Sequence, residues 1–279
     1  MKPAVFDYKR ARTLPEAAEF LVAGNGDAKI LAGGQSLTPM LNLRLARPHI
    51  LIDIKRAEGL RELAGDASVM SIGTGWTHAE IEDGAFEDPT QGLLPYVARG
   101  IAYRAVRNRG TIGGSLSHAD PAADWISTSA ALGATLVSQS ADGRKRRLPA
   151  DSFLEGAFQT RLDAHDVLVA VEVPRLSDKA RWGYYKICRK SGEFANAIGV
   201  AIFDPKTGLS RVLAGATDGP PVLLPETAKI LADKGASAAG DHVAVEIASV
   251  LSGHDIVARQ LHATAVRRAL DALAAKSDH

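Results

Sequence analysis

Two glycine pairs, Gly33-Gly34 and Gly113-Gly114, each follow an apolar residue and precede small residues with hydroxyl or amide groups. Glycine lets a backbone approach a ligand closely and reaches conformations closed to other residues. Consecutive amides in such a turn form a concave anion site, and Ser36, Thr111 and Ser115 add hydroxyl donors. Two such turns on opposing walls would grip both phosphates of a diphosphate. One doublet alone, in a chain with 26 glycines, reads as an ordinary turn; it is the recurrence with similar flanks that favours a ligand. No GxGxxG follows a strand and no GxxxxGKS/T occurs, so the familiar dinucleotide and mononucleotide phosphate loops are excluded.

The other residues capable of chemistry narrow the field further. A single cysteine, Cys188, makes no intramolecular disulfide, no thiolate zinc site and no iron–sulfur cluster, so redox chemistry here needs a carrier other than protein sulfur. None of the eight histidines falls in HExxH or another close ligand pair, and no metal site is expected. His78 follows a helix cap and reads as structural, whereas His118 lies just beyond the second doublet. The basic run Arg144-Lys145-Arg146-Arg147 reads as a solvated hairpin arm, with a docking patch for an acidic partner as the functional alternative. It has no aromatic stacking residues beside it, and the net charge is only +1, so nucleic acid is not an expected partner.

These residues must be positioned by a chain of 279 residues that is 46% hydrophobic, enough for a real core and about two domains. Thr13-Leu14-Pro15-Glu16 starts a helix that stops at the turn-rich 24–27, and strands are expected over 28–32 and 49–54, with the first doublet between them. A strand over 69–72 breaks at Gly73-Thr74-Gly75, and Thr77 with Glu80 forms a capping box. Apolar spacing predicts a helix over 93–106, an interruption over 108–116 that holds the second doublet, and a helix over 125–132. A strand over 134–137 turns at Asp142-Gly143. The strand over 167–173 ends at Pro174 in a polar stretch, the best domain boundary. Beyond it come three strands, near 182–187, 195–203 and 209–216, and then helices. The first twenty residues lack a signal-peptide core, and no run approaches the roughly 18 apolar residues of a membrane span, so a soluble cytoplasmic protein is expected.

In combination the strings ILAGGQSL (30–37), VRNRGTIGGSL (106–116) and HADPAAD (118–124) resemble the FAD-binding medium subunit of bacterial molybdenum hydroxylases. That family includes the medium chain of aerobic carbon monoxide dehydrogenase and the flavin domain of xanthine dehydrogenase. The resemblance runs through 39–48, 77–81, 153–156 and Tyr185-Lys186, nearly the whole chain. It implies an α+β, vanillyl-alcohol-oxidase-like (PCMH-type) FAD-binding fold. An FAD-binding domain would cover 1–176, in lobes of about 1–55 and about 56–176, followed by a C-terminal domain over 177–279 with a three-stranded sheet and helices.

The resemblance also implies noncovalent FAD between the two lobes. Leu31, Ala32, Gly33, Gly34, Gln35, Ser36 and Leu37 would hold it from the first, and Thr111, Ile112, Gly113, Gly114 and Ser115, up to Leu116, from the second. His118 and Ala119 follow directly. Asp124 matches an acidic residue near the adenosine and ribitol portion, and Leu168 an apolar residue against the adenine. Lys186 matches a lysine near the flavin, where a cation favours electron density at the N1–C2 carbonyl end. Phe194 stands where the family often has an aromatic beside the ring, a core role being equally open for it and for Tyr184 and Tyr185. No residue need act as nucleophile or base.

The implied function is that of an electron-transfer FAD subunit of a heteromeric molybdenum hydroxylase. A small [2Fe–2S] subunit would supply electrons, an external acceptor would take them, and a large molybdopterin-bearing molybdenum subunit would hydroxylate the substrate with water, in a dimer of heterotrimers. The alternatives are a self-sufficient flavin oxidase or dehydrogenase of the same fold, which needs a capping domain and acid–base residues not identified here, and a scaffold without cofactor. One cysteine cannot supply the additional cluster that some relatives insert, which weakens benzoyl-CoA-reductase-like chemistry.

Overall fold

A computed structural model describes residues 2–275; residue 1 and the last four positions of the C-terminal segment lie outside the described residues. The chain begins with β1 (Asp7–Arg10), α1 (Leu14–Ala23), β2 (Ala28–Leu31), α2 (Leu37–Asn42) and β3 (Ile50–Asp53). Thr13 caps α1, its hydroxyl accepting the Glu16 amide at 3.3 Å, and the helix buries Ala17, Ala18 and Leu21. The three strands are parallel in the order β1-β3-β2, which requires crossovers, and α1 packs on β2 and β3. The core of this lobe is shared: Ala17, Leu21 and Ile52 pack with Val137, Val167 and Val169 of the next sheet.

That second region runs through β4 (Leu63–Gly65), β5 (Val69–Gly73), α3 (His78–Glu82), α4 (Leu93–Arg99), α5 (Arg104–Arg107), α6 (Ile112–His118) and α7 (Asp124–Leu132). It continues with β6 (Thr135–Gln139), β7 (Lys145–Pro149), β8 (Leu154–Gly156), β9 (Gln159–Thr160) and β10 (Val167–Pro174). β4-β5-β10-β6-β7 form an antiparallel sheet and β8-β9 a small hairpin. The helix expected over 93–106 is two helices. α4 ends at Gly100, Ile101 bridges to Gly192, and Ala102 takes φ 43° before α5 restarts. Only the first half faces the core: α4 buries Leu93, Leu94, Val97 and Ala98, whereas α5 buries Arg107 and leaves Ala105 exposed, so the apolar spacing beyond the break was coincidental.

The C-terminal part holds β11 (Arg181–Ile187), β12 (Ala197–Asp204), β13 (Leu209–Gly215), β14 (Val222–Leu223), α8 (Pro225–Lys234), α9 (Ala236–Val250) and α10 (Ile256–Ala275). The expected three-stranded sheet therefore gains a fourth strand, β14, two residues paired to Leu213 and Ala214. So short a strand has no periodicity to read. Gly183 and Gly199 let α10 lie directly on the sheet: a Cβ on either would fall 1.8 Å from the Ala269 carbonyl oxygen and 2.3 Å from that of Ala265. On the opposite face α7, buried along its whole length, joins this sheet to the second one. No helix among the described residues is long and apolar enough to cross a membrane.

Candidate functional site

The chain leaves β2 through the first doublet and enters α2. Gly34 takes φ +74°, a left-handed conformation that favours glycine. A Cβ on Gly33 would fall 2.2 Å from the Arg109 carbonyl oxygen and 2.7 Å from the Gly110 Cα, so only glycine allows this loop to lie against the segment leading into the second doublet. From the other side a Cβ on Gly114 would stand 3.6 Å from the Ala32 Cβ. The fold thus brings the two doublets face to face, although they are far apart in the chain.

Their hydrogen bonding differs. The amides of residues 33–37 find no acceptor among the described residues, while the carbonyls of Gly34 and Ser36 accept from Thr38 and Met40 at 3.0 and 3.2 Å. The Ser36 hydroxyl makes no capping bond, and Gln35 folds its amide back to the Gly33 carbonyl at 3.3 Å. Backbone donors near a protein interior normally have partners, so a run of unpaired amides marks a place where something accepts them.

The second doublet was expected as an open turn with free amides; it is instead the first turn of α6. Thr111 is the N-cap, its hydroxyl oxygen accepting the Gly114 amide at 3.0 Å. The Ile112 and Gly113 amides donate to Trp76 and Thr74 carbonyls, each at 3.1 Å, and the Ser115 amide to the Thr111 carbonyl at 3.0 Å. Glycine is needed here for packing, since a Cβ on Gly113 would sit 2.3 Å from the Thr74 Cβ. What this wall offers a ligand is the hydroxyl hydrogens of Thr111 and Ser115. Thr74 in turn donates to the Leu168 carbonyl at 2.8 Å, which places buried Leu168 behind the same wall.

Beneath Gly110 lies His78. Its amide donates to the Gly110 carbonyl at 2.9 Å, and a Cβ on Gly110 would meet the imidazole at 2.9 Å. The Trp125 indole donates to His78 Nδ1 at 3.0 Å. Burial, helped by the nearby Arg107 charge, pushes the imidazole pKa down to about 4, so the ring is a neutral packing element. The capping box read from Thr77 and Glu80 is present, and Arg61 clamps Glu80 through two bonds at 2.6 and 2.9 Å. His118 ends α6 half-buried, its ring 5.2 Å from that of Phe158, and Ala119 closes the helix at φ 56°.

Asp124 and Lys186, expected to meet different parts of the cofactor, meet each other. Lys186 Nζ lies 2.9 Å from Asp124 Oδ1 and donates to the Gly100 carbonyl at 2.9 Å, the two side chains being 9% and 7% exposed. Tyr184 donates to the same carboxylate at 2.6 Å. Burial raises the Asp124 pKa, and it raises that of Tyr184 further, with the adjacent carboxylate adding to it. The isolated cation of the sequence reading is therefore a buried, charge-compensated pair joining α7 to β11. Tyr184 was left open by sequence, and nothing local signalled its partnership with a residue so distant in the chain.

The remaining candidates separate cleanly. Phe194 is exposed and not a core residue, and Tyr185 lies under the Arg268 guanidinium, 4.8 Å away. The basic run is a solvated arm leading into β7, its arginines paired with Asp142, Asp163, Asp166 and Glu172. No group of three or more His, Cys, Asp or Glu among the described residues is arranged to hold a metal. Cavities of about 420 and 760 Å³ border Tyr96, Trp182 and Tyr184 and, separately, Glu87 and Arg175; neither touches the glycine loops.

Residues 4–176 match the family of the FAD binding domain in molybdopterin dehydrogenase. The carbon monoxide dehydrogenase medium chain of Hydrogenophaga pseudoflava is 37% identical over 226 residues, 80% of this chain and 78% of that one. Subunit alpha of the 6-hydroxypseudooxynicotine dehydrogenase complex of Paenarthrobacter nicotinovorans is 34% identical over 264 residues, 92% of this chain and 83% of that one. Among solved structures, the carbon monoxide dehydrogenase of H. pseudoflava that lacks the Mo-pyranopterin moiety superposes with a TM-score of 0.89 at 31% identity, over 99% of both chains. Quinoline 2-oxidoreductase of Pseudomonas putida 86 gives 0.86 at 31% identity over 100% of both chains.

Proposed function

The chain belongs to the family of FAD-binding domains of molybdopterin dehydrogenases, and from that premise we propose that it is the electron-transfer subunit of a heteromeric molybdenum hydroxylase. It is an oxidoreductase component with an α+β FAD-binding fold, and its relatives are subunits of larger dehydrogenases. In the proposed cycle a small [2Fe–2S] subunit delivers electrons, this chain passes them to an external acceptor, and a large molybdopterin-bearing subunit hydroxylates the substrate with water. The assembly is a cytoplasmic dimer of heterotrimers. Residues 1–176 would be the FAD-binding domain and 177–279 a separate C-terminal domain.

The observation that carries this reading is the run of unpaired amides at 33–37 facing a second wall of hydroxyls. Bound FAD supplies the two-electron and one-electron redox chemistry that the protein's own groups lack. The amides of Gly33, Gly34, Gln35, Ser36 and Leu37 and the Ser36, Thr111 and Ser115 hydroxyls bind the diphosphate. Ala32 and Gly114 bring the walls together, Ile112 and Gly113 anchor the second wall on Trp76 and Thr74, and Leu31 and Leu168 back them with apolar surface. The Asp124–Lys186 pair, held by Tyr184, would offer the cofactor a dipole and no net charge. His118 and Ala119 end α6, and FAD would be held noncovalently.

Co-expression with the other subunits of the complex tests the reading. The chain is expected to purify with two further polypeptides and to release its flavin into the filtrate on acid denaturation. Isolation as a stable solitary flavoprotein that an alcohol or amine reduces directly would replace it with the self-sufficient oxidase.

A further inference from the structure

The segment after α2 holds apolar side chains away from the core. Leu43 is 57% exposed and Leu45 73%. Their exposure is not slackness. The Leu43 and Arg44 amides donate to the Pro39 and Leu41 carbonyls at 2.9 and 3.0 Å, and the Leu45 and Ala46 amides converge on the Met40 carbonyl at 2.8 and 3.3 Å. Arg44, between the leucines, takes φ +59°, a left-handed conformation unfavourable for a non-glycine residue. An ordered, strained loop that presents leucines to solvent marks an interaction surface.

Charge surrounds these leucines. Arg44 Nε donates to the Lys2 carbonyl at 3.2 Å and Arg47 Nε to the Arg44 carbonyl at 3.0 Å, which gathers Lys2, Arg44 and Arg47 around them. No carboxylate among the described residues pairs with any of these cations, in contrast to the arginines of β7. The surface that fits is apolar at its centre and acidic at its rim. Its position narrows the partner further. α2 starts at the last of the unpaired amides, and its six residues rise about 9 Å, so the leucines stand beside the cofactor cleft, where an electron donor has to dock. Other exposed apolar side chains include Tyr103, Phe158 and Phe194 and, on regular helices of the C-terminal part, Val245, Ile256 and Val257.

We propose that the loop carrying Leu43, Arg44, Leu45 and Arg47 is the docking surface for the iron–sulfur subunit that supplies electrons, through an apolar, acid-rimmed face of that subunit. This inference rests on the subunit function proposed above. The test uses the full chain, tagged and co-expressed with the iron–sulfur and molybdenum subunits, with FAD content as the control for folding. Leu43→Ser/Leu45→Ser is expected to lower the retained iron–sulfur subunit at least tenfold with FAD content unchanged. Arg44→Gln/Arg47→Gln is expected to flatten the salt dependence of retention, and Val245→Ser/Val257→Ser to match wild type. If the leucine variant binds no FAD, the salt dependence of the arginine variant decides.

Wild-type retention by the leucine variant, an unchanged salt dependence in the arginine variant, or loss of the molybdenum subunit or of self-association alone overturns the assignment. A wild-type chain that binds FAD yet holds no partner overturns instead the subunit reading beneath it.

Discussion

In the first glycine loop the amides of residues 33–37 face no acceptor, whereas in the second those of residues 112–115 are all engaged inside the fold. Both loops contain a doublet and both need it, for different reasons. Gly34 needs a left-handed backbone and Gly33 a close approach to residues 109 and 110, so the loop can project its donors into the cleft. Gly113 needs room against Thr74, so that a helix can start behind the cleft. One loop has main-chain donors to spare, while the other spends its amides within the fold and keeps its hydroxyls. Glycine pairs of similar flank are therefore not evidence of similar contacts; the hydrogen-bond partners of their amides are.

The contrast yields graded consequences. Gly33→Ala drives a methyl into the Arg109 carbonyl and separates the walls, so FAD affinity should fall more than a thousand-fold, about 4 kcal/mol, in flavin fluorescence titration. An alanine variant that binds FAD as wild type removes the main-chain role of this loop. Next comes acid stability on the second wall. The folded chain refuses a proton on His78 until about pH 4, while the unfolded chain takes it up below about 6.5. The stabilisation is then complete at neutral pH and is lost as pH falls from 6.5 to 4, about 3 kcal/mol in all. Urea melts across that range should slope in wild type and flatten in His78→Gln, which keeps an acceptor for Trp125. Glu80, lowered to about 2 chiefly by its hydrogen bonds from Arg61, acts in a more acidic window.

Gly113→Ala should cost about 2 kcal/mol of stability through overpacking against Thr74, with FAD affinity of the folded protein changed far less than in Gly33→Ala. Equal losses of affinity in the two variants would erase the distinction between the loops. Thr111→Val removes both the N-cap and a hydroxyl donor, for about 1 kcal/mol of stability and a several-fold weaker FAD. Ser36→Ala is the mildest: its hydroxyl caps nothing, so thermal stability should hold while affinity drops only a few-fold.

Much of this architecture is legible in local sequence. The Thr13 cap, the Thr77–Glu80 capping box, the turn at Asp142-Gly143 and the strands near 28–32, 49–54 and 167–173 appear where their residue types place them, because caps, turns and strand alternation are short-range effects. The break at Gly100 is not legible, since the apolar pattern continues on both sides of it. β14 is not legible either, because its pairing depends wholly on β13. The basic run reads as a solvated arm and is one, but the acids that pair with Arg146 and Arg147 come from positions 163, 166 and 172.

The site divides the same way. Residue order alone was enough to identify the family and the cofactor class, since these rest on motifs contiguous in the chain. Which amides remain free, and whether Lys186 stands as a cation or as half of a neutral pair with Asp124, depended on neighbours that arrive from elsewhere in the fold. A hydrogen bond or an ion pair is a property of two groups and the distance between them. Sequence specifies each group, and packing of the three sheets sets the distance.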